Sequence, residues 1–123
     1  MRALVVSNAV SARNAMREIL SKVSFQVVEA SDVRGAMQVL SELWPVDLAL
    51  VDWGLPSAGG LRLVRTVRSS RDHDAMRLIM MTSRLEMADI FEAIRAGVDD
   101  YVAKPVTRKQ ILEKLVELRF YAM

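Results

Sequence analysis

A doubly wound α/β fold, with a five-stranded parallel sheet and helices on both faces, is the architecture this sequence predicts. Three observations carry it. Short apolar runs alternate with amphipathic helical stretches along the whole chain, giving five βα units. The third run, Leu48 to Val51, is apolar at every position, as suits a strand covered on both faces. Parallel neighbours need right-handed helical crossovers, and a helical stretch follows each strand.

Taken in order, Ala3 to Val6 is too short for a helix and ends at Ser7 and Asn8. Helix 1 follows from Ala12, Met16, Ile19 and Val23 at helical spacing, with Ser11 as a candidate N-cap and Lys22 in its last turn. Phe25 to Glu29 forms strand 2. Ser31 or Asp32 caps helix 2, whose apolar stripe is Val33, Ala36, Met37, Leu40 and Trp44, and Pro45 marks its end. Strand 3 runs into Asp52, and Gly54 and Pro56 stop it. Ser57 to Gly60 reads as a flexible turn before helix 3, which carries Leu61, Val64 and Val67 on one side and Arg62, Arg65 and Arg68 on the other. After a polar loop, Ser69 to Ala75, comes strand 4, Leu78 to Met81, ending at Thr82 and Ser83. Met87, Ile90, Phe91 and Ile94 pattern helix 4, with Gly97 just past its end. Tyr101 to Ala103 is a short strand 5, broken by Lys104 and Pro105. Thr107 then caps a last helix built on Ile111, Leu112, Leu115, Val116 and Leu118.

The 123 residues are expected to form one domain, 1–123, with no second domain, repeat or low-complexity tail. With 52% hydrophobic and 26% charged residues, no apolar run nears the roughly 20 residues of a membrane span, and the expected location is the cytoplasm. The absence of cysteine excludes disulfides and thiolate metal sites, and a single histidine, His73, excludes a histidine cluster. A net charge of +2 from 17 basic and 15 acidic residues argues against direct nucleic-acid binding. The eight methionines read as core filling.

The strand exits converge. Ser7 and Asn8, Asp52, Thr82 and Ser83, and Lys104 all fall where ligands bind in open α/β sheets. With VDWGLP around Asp52, MMTS around Thr82 and GVDDYVAKP through Tyr101, Lys104 and Pro105, the chain resembles a response-regulator receiver domain of two-component signalling, similar to the chemotaxis regulators. That resemblance implies the flavodoxin-like strand order 2-1-3-4-5 and a signalling domain rather than an enzyme. It makes Asp52 the phosphoacceptor, attacking a kinase's phosphohistidine while Mg²⁺ and Lys104 neutralise oxygen charge. It also makes Thr82 the switch hydroxyl and Tyr101 the switch aromatic, so that helix 4, strand 5 and helix 5 change their surface. The Lys104–Pro105 bond is expected to be cis. The implied partners are a sensor histidine kinase or phosphotransfer protein, and a downstream protein or output domain. The aromatic tail, Phe120 and Tyr121 before Ala122 and Met123, hints at a homodimer or a missing domain.

The departures are at the metal. Where the family has two acidic residues after strand 1, this chain has Ser7 and Asn8. Hard cations favour carboxylates, so the remaining candidates, Asp52, the Gly54 backbone carbonyl and Asn8, make a weak or absent Mg²⁺ site. Three carboxylates and a lysine carry about −2, whereas Asp52 with Lys104 carries about zero, so a standing Asp52–Lys104 ion pair is expected instead. Ser83 and Arg84 are possible phosphoryl contacts, although Arg84 also reads as a solvated loop residue. Arg62, Arg65 and Arg68 read as a solvated face, and His73 as exposed. Asp99 and Asp100 precede strand 5, in the wrong place to replace the missing acids.

Two functions follow. One is a phosphorelay receiver with weakened Mg²⁺ dependence. The other is a pseudo-receiver, binding a partner through its helix 4 to helix 5 face without phosphorylation. A flavin mononucleotide binder of the same topology is disfavoured because SNAVSAR lacks a phosphate-cradling glycine. A haloacid-dehalogenase-type phosphatase would want an acid where Gly54 stands.

Overall fold

In the computed structural model, which describes residues 1–43 and 45–120, the five strands form one parallel sheet in the order β2-β1-β3-β4-β5. They are β1 (Arg2–Val6), β2 (Gln26–Ala30), β3 (Leu48–Asp52), β4 (Arg77–Thr82) and β5 (Asp100–Ala103). Between and after them run α1 (Val10–Ser21), α2 (Val33–Glu42), α3 (Gly59–Arg68), α4 (Met87–Ala96) and α5 (Arg108–Glu117). Trp44, read as the end of the α2 stripe, and Tyr121, Ala122 and Met123 of the aromatic tail lie outside the described residues.

The period-2 alternation of the strands sorts the core into two layers. Leu4, Val6, Ala49, Val51, Leu78 and Met80 pack on the α2, α3 and α4 side, whereas Ala3, Val5, Leu48, Leu50, Ile79 and Met81 pack on the α1 and α5 side. Both faces are covered, so every residue of β3 is buried, Asp52 included. Of the methionines, Met16, Met76, Met80 and Met81 are core, while Met1 and Met87 are exposed.

Local chemistry sets the helix ends. The Asp32 carboxylate accepts from the Gly35 N–H at 2.7 Å, so Asp32 and not Ser31 caps α2. Thr107 and Gln110 form a reciprocal capping box at α5. Gly97, at φ 120°, ends α4. Ser11 does not cap α1: the helix starts at Val10, its N-cap is Ala9, and Ser11 lies inside the first turn. Val23 and Lys22 fall just beyond that helix.

The stretch read as a flexible turn is more ordered than expected. A 3₁₀ turn at Pro56–Ala58 leads directly into α3, which begins at Gly59, and both Gly59 and Gly60 are buried. Ser57 and Ala58 take left-handed backbone angles (φ 58° and 56°) to make the junction. Another correction concerns α4. Met87, Phe91 and Ile94 have the spacing of a core stripe, yet all three are exposed, and α4 meets the core through Ala93 and half-buried Ala96. At the start of β5, Asp100 pairs with Lys114 of α5 at 3.1 Å. Partial burial lowers the Lys114 pKa, but its bonds to Asp100 and Glu117 outweigh that and leave it above the ordinary 10.5.

Candidate functional site

The carboxyl ends of the strands assemble the site. Asp52 is the last residue of β3 and its side chain is 7% exposed. A carboxylate so buried needs partners on both oxygens. On Oδ1 it accepts from the Lys104 ammonium at 2.5 Å and from the Gly54 N–H at 2.8 Å, and on Oδ2 from the Ser7 hydroxyl at 3.0 Å. The expected Asp52–Lys104 ion pair is therefore present. The Lys104 N–H continues the sheet, donating to the Thr82 carbonyl at 2.9 Å, and the Lys104–Pro105 bond is cis as expected.

Ser7 does more than occupy a vacated acidic position. It is fully buried and its Oγ also accepts from the Ala9 N–H at 3.2 Å, so the loop after β1 is tied to Asp52 through one hydroxyl. Asn8 is exposed and takes no part in that network. The chemistry of this donor set does not fit Mg²⁺. A divalent hard cation wants several anionic oxygens, whereas the one carboxylate here already accepts three hydrogen bonds, one from an ammonium. Among the described residues no group of three acidic or histidine side chains is placed to hold a metal. Asp99 and Asp100 lie at the other end of β5, where Asp99 is paired with Arg68 and Arg77.

Thr82 ends β4 and is 2% exposed. Its Oγ1 accepts from the Arg84 N–H at 2.8 Å and donates to the Arg84 carbonyl at 3.4 Å, so the hydroxyl is held by the β4–α4 loop. Ser83 beside it is exposed. Tyr101 is half-buried and packs on the α2, α3 and α4 side of the sheet. Arg84 does not cover the pocket; it is an exposed loop residue, its side chain 60% exposed, in line with the solvated-loop reading. Its guanidinium lies 5.7 Å from the centre of the Trp53 ring and pairs with Asp89 of α4 at 3.4 Å. The residue after Asp52 is thus linked to the first turn of α4.

Two site residues escaped the sequence reading. Arg13 on α1 donates to the Ser7 carbonyl at 2.5 Å and pairs with Glu29 at 3.3 Å, fixing the end of β1. Its position, six residues after Ser7 and thus on the inward turn of α1, is a signal visible only once the helix start is known. Gly60 is the other. A Cβ there would stand 2.7 Å from the Asp52 carbonyl oxygen and 3.0 Å from the Trp53 Cα. Backbone cannot yield as a flexible side chain can, so Gly60→Ala is expected to push α3 off β3 and to cost about 2 kcal/mol in urea unfolding, within the usual range for overpacking. A loss below ~0.5 kcal/mol would show that the junction adapts.

Known proteins share both pattern and architecture. The family model described as the response regulator receiver domain matches residues 3–116. A chemotaxis protein CheY homolog of Campylobacter jejuni is 31% identical over 119 residues, which cover 96% of this chain and 92% of that protein. The phosphate regulon transcriptional regulatory protein PhoB of Klebsiella pneumoniae is 33% identical over 93% of this chain but only 49% of its own length, so the chain spans about half of that relative. Among solved structures, a CheY-like receiver domain protein from Methanospirillum hungatei superposes with a TM-score of 0.84 at 26% identity, covering 95% of this chain and 91% of that one. CheY4 of Vibrio cholerae gives 0.88 at 21% identity, covering 95% and 97%, which speaks for the fold alone.

Proposed function

Because the chain belongs to the response-regulator receiver domain family, we propose that it serves two-component signalling as a pseudo-receiver, a protein-interaction module whose Asp52 is held by Lys104 and Ser7 in place of a metal. The observation that carries this reading is the engagement of both Asp52 carboxylate oxygens, Oδ1 by Lys104 and Gly54 and Oδ2 by Ser7. In-line attack on a phosphohistidine needs a free carboxylate oxygen and a cation to gather the phosphoryl charge. Here the carboxylate is engaged, and the one ammonium beside it is neutralised by it. The partner face is α4, β5 and α5, where Met87, Phe91 and Ile94 of α4, with Leu85 in the loop before it, leave apolar side chains in solvent. Arg84, bridging Trp53 and Asp89, holds the start of that face in one arrangement.

A second reading rests on the retention of Asp52, Thr82 and Lys104 at adjacent strand ends: a phosphorelay receiver that accepts a phosphoryl group from a sensor kinase or phosphotransfer protein. Intact mass after incubation with a small-molecule phosphodonor, with and without Mg²⁺, separates the two. The pseudo-receiver reading expects no gain of mass in either condition. A Mg²⁺-dependent gain of one phosphoryl group that is lost in Asp52→Ala would overturn it and make Asp52 the acceptor.

A further inference from the structure

The arginine stripe of α3 is not the uniform solvated face its spacing suggests. Arg68 turns inward. Its guanidinium donates to the carbonyls of Gly97 at 2.9 Å, His73 at 2.8 Å and Met76 at 2.7 Å, and to the Asp99 carboxylate at 3.0 Å. His73 is correspondingly half-buried rather than exposed. Arg68 thus pins the C-terminal end of α3 to that of α4. It also floors a cleft of about 540 Å³ between them, lined further by Arg65, Ser69, Glu92, Arg95 and Ala96. A volume of that size accommodates a small ligand.

Arg65 and Arg95 reach this cleft from the last turns of their helices, both are exposed, and neither has an ion-pair partner among the described residues. Compensation of the helix dipoles accounts for them only in part, because several carbonyls at those ends already have donors: Ser69 N–H bonds Arg65 O and Thr66 O, Gly97 N–H bonds Ala93 O and Ile94 O, and Arg68 lies on Gly97 O. What remains is an excess of like charge. The guanidinium groups of Arg65, Arg68 and Arg95 line the cleft against the carboxylate of Glu92, three against one, leaving about two positive charges, of which that of Arg68 is shared with Asp99 behind it. Gathered guanidinium groups repel until an anion bridges them, and their planar forks suit phosphate oxygens.

We propose that the α3–α4 cleft binds a phosphorylated small molecule, with its phosphate held between Arg65 and Arg95. A phosphomonoester, at about −1.5 to −2 near neutral pH, matches the charge excess, and a single carboxylate does not. The cleft lies at the opposite end of the strands from Asp52, beside the starts of β4 and β5, so the inference is independent of how Asp52 is read. Glu92 opposes the ligand and holds the affinity down.

Calorimetric titration of the whole chain at low ionic strength tests this with inorganic pyrophosphate, and with citrate as a polycarboxylate of similar charge. Pyrophosphate is expected to bind, at least tenfold more weakly in Arg65→Ala and in Arg95→Ala and several-fold more tightly in Glu92→Gln, with citrate weaker throughout. All three side chains are exposed, so the variants retain the fold. Absence of binding at millimolar pyrophosphate would overturn the proposal, as would affinity indifferent to the two arginines. Equal binding of citrate would overturn the phosphate assignment. Binding that survives both arginine substitutions but disappears in Lys104→Ala would place the anion at the strand ends instead and equally sink it.

Discussion

Replacing Lys104 with alanine is expected to lower the unfolding free energy by about 2 kcal/mol in metal-free buffer, read as a shift of the urea midpoint at unchanged slope. Removing one partner of a fully buried pair costs about 3–5 kcal/mol because the other charge is stranded. Here Asp52 is buried, but the Lys104 side chain is 36% exposed, so water can partly replace the ammonium. The effect should be smaller when the charge is absent. Asp52→Asn keeps the shape of the side chain, and adding Lys104→Ala to it should cost well under 1 kcal/mol, giving a coupling energy of more than about 1 kcal/mol in the double-mutant cycle. If Lys104→Ala unfolds with wild-type stability, the pair is not held in solution, and the account of Asp52 as an engaged carboxylate fails with it.

How much of this was legible follows from the distance over which each feature is determined. The parallel βα winding and the meeting of Ser7, Asp52, Thr82 and Lys104 were legible because period and strand exit are local properties, and parallel winding carries every exit to one edge, whereas the strand order came from the family resemblance. The ion pair followed from counting charge at that edge. Features set by a contact across the fold were not legible. Gly60 reads as a turn residue until β3 is seen to pass beneath it, and Arg68 reads as solvated until the end of α4 supplies a carbonyl. Arg84 rests on Trp53, a stacking partner some thirty positions earlier that no spacing rule connects to it. The α4 stripe misled in the opposite sense. Met87, Phe91 and Ile94 obey the helical period, but periodicity shows that a helix has an apolar face and not what covers it.

The converse of the Lys104 experiment restores what the strand-1 exit lacks. The double variant Ser7→Asp/Asn8→Asp would set two more carboxylates near Asp52, shifting the local charge from about zero to about −2. Without metal it should be less stable than wild type by about 2 kcal/mol. That is roughly half the energy of two unit charges 4 Å apart at an effective dielectric of 20, with Lys104 offsetting the remainder. Mg²⁺ should then reverse the loss, because a ligand at a hundred times its Kd stabilises by about 2.7 kcal/mol. The wild-type chain should gain nothing from the same Mg²⁺. Trp53, next to Asp52, gives a second readout: its fluorescence should respond to Mg²⁺ in the double variant alone. Stabilisation of the wild type by sub-millimolar Mg²⁺ would mean that Ser7 and Asn8 support a metal after all. Failure of the double variant to respond would mean that the loop after β1, tied down by Arg13 on the Ser7 carbonyl, does not present its side chains to the site as the family does.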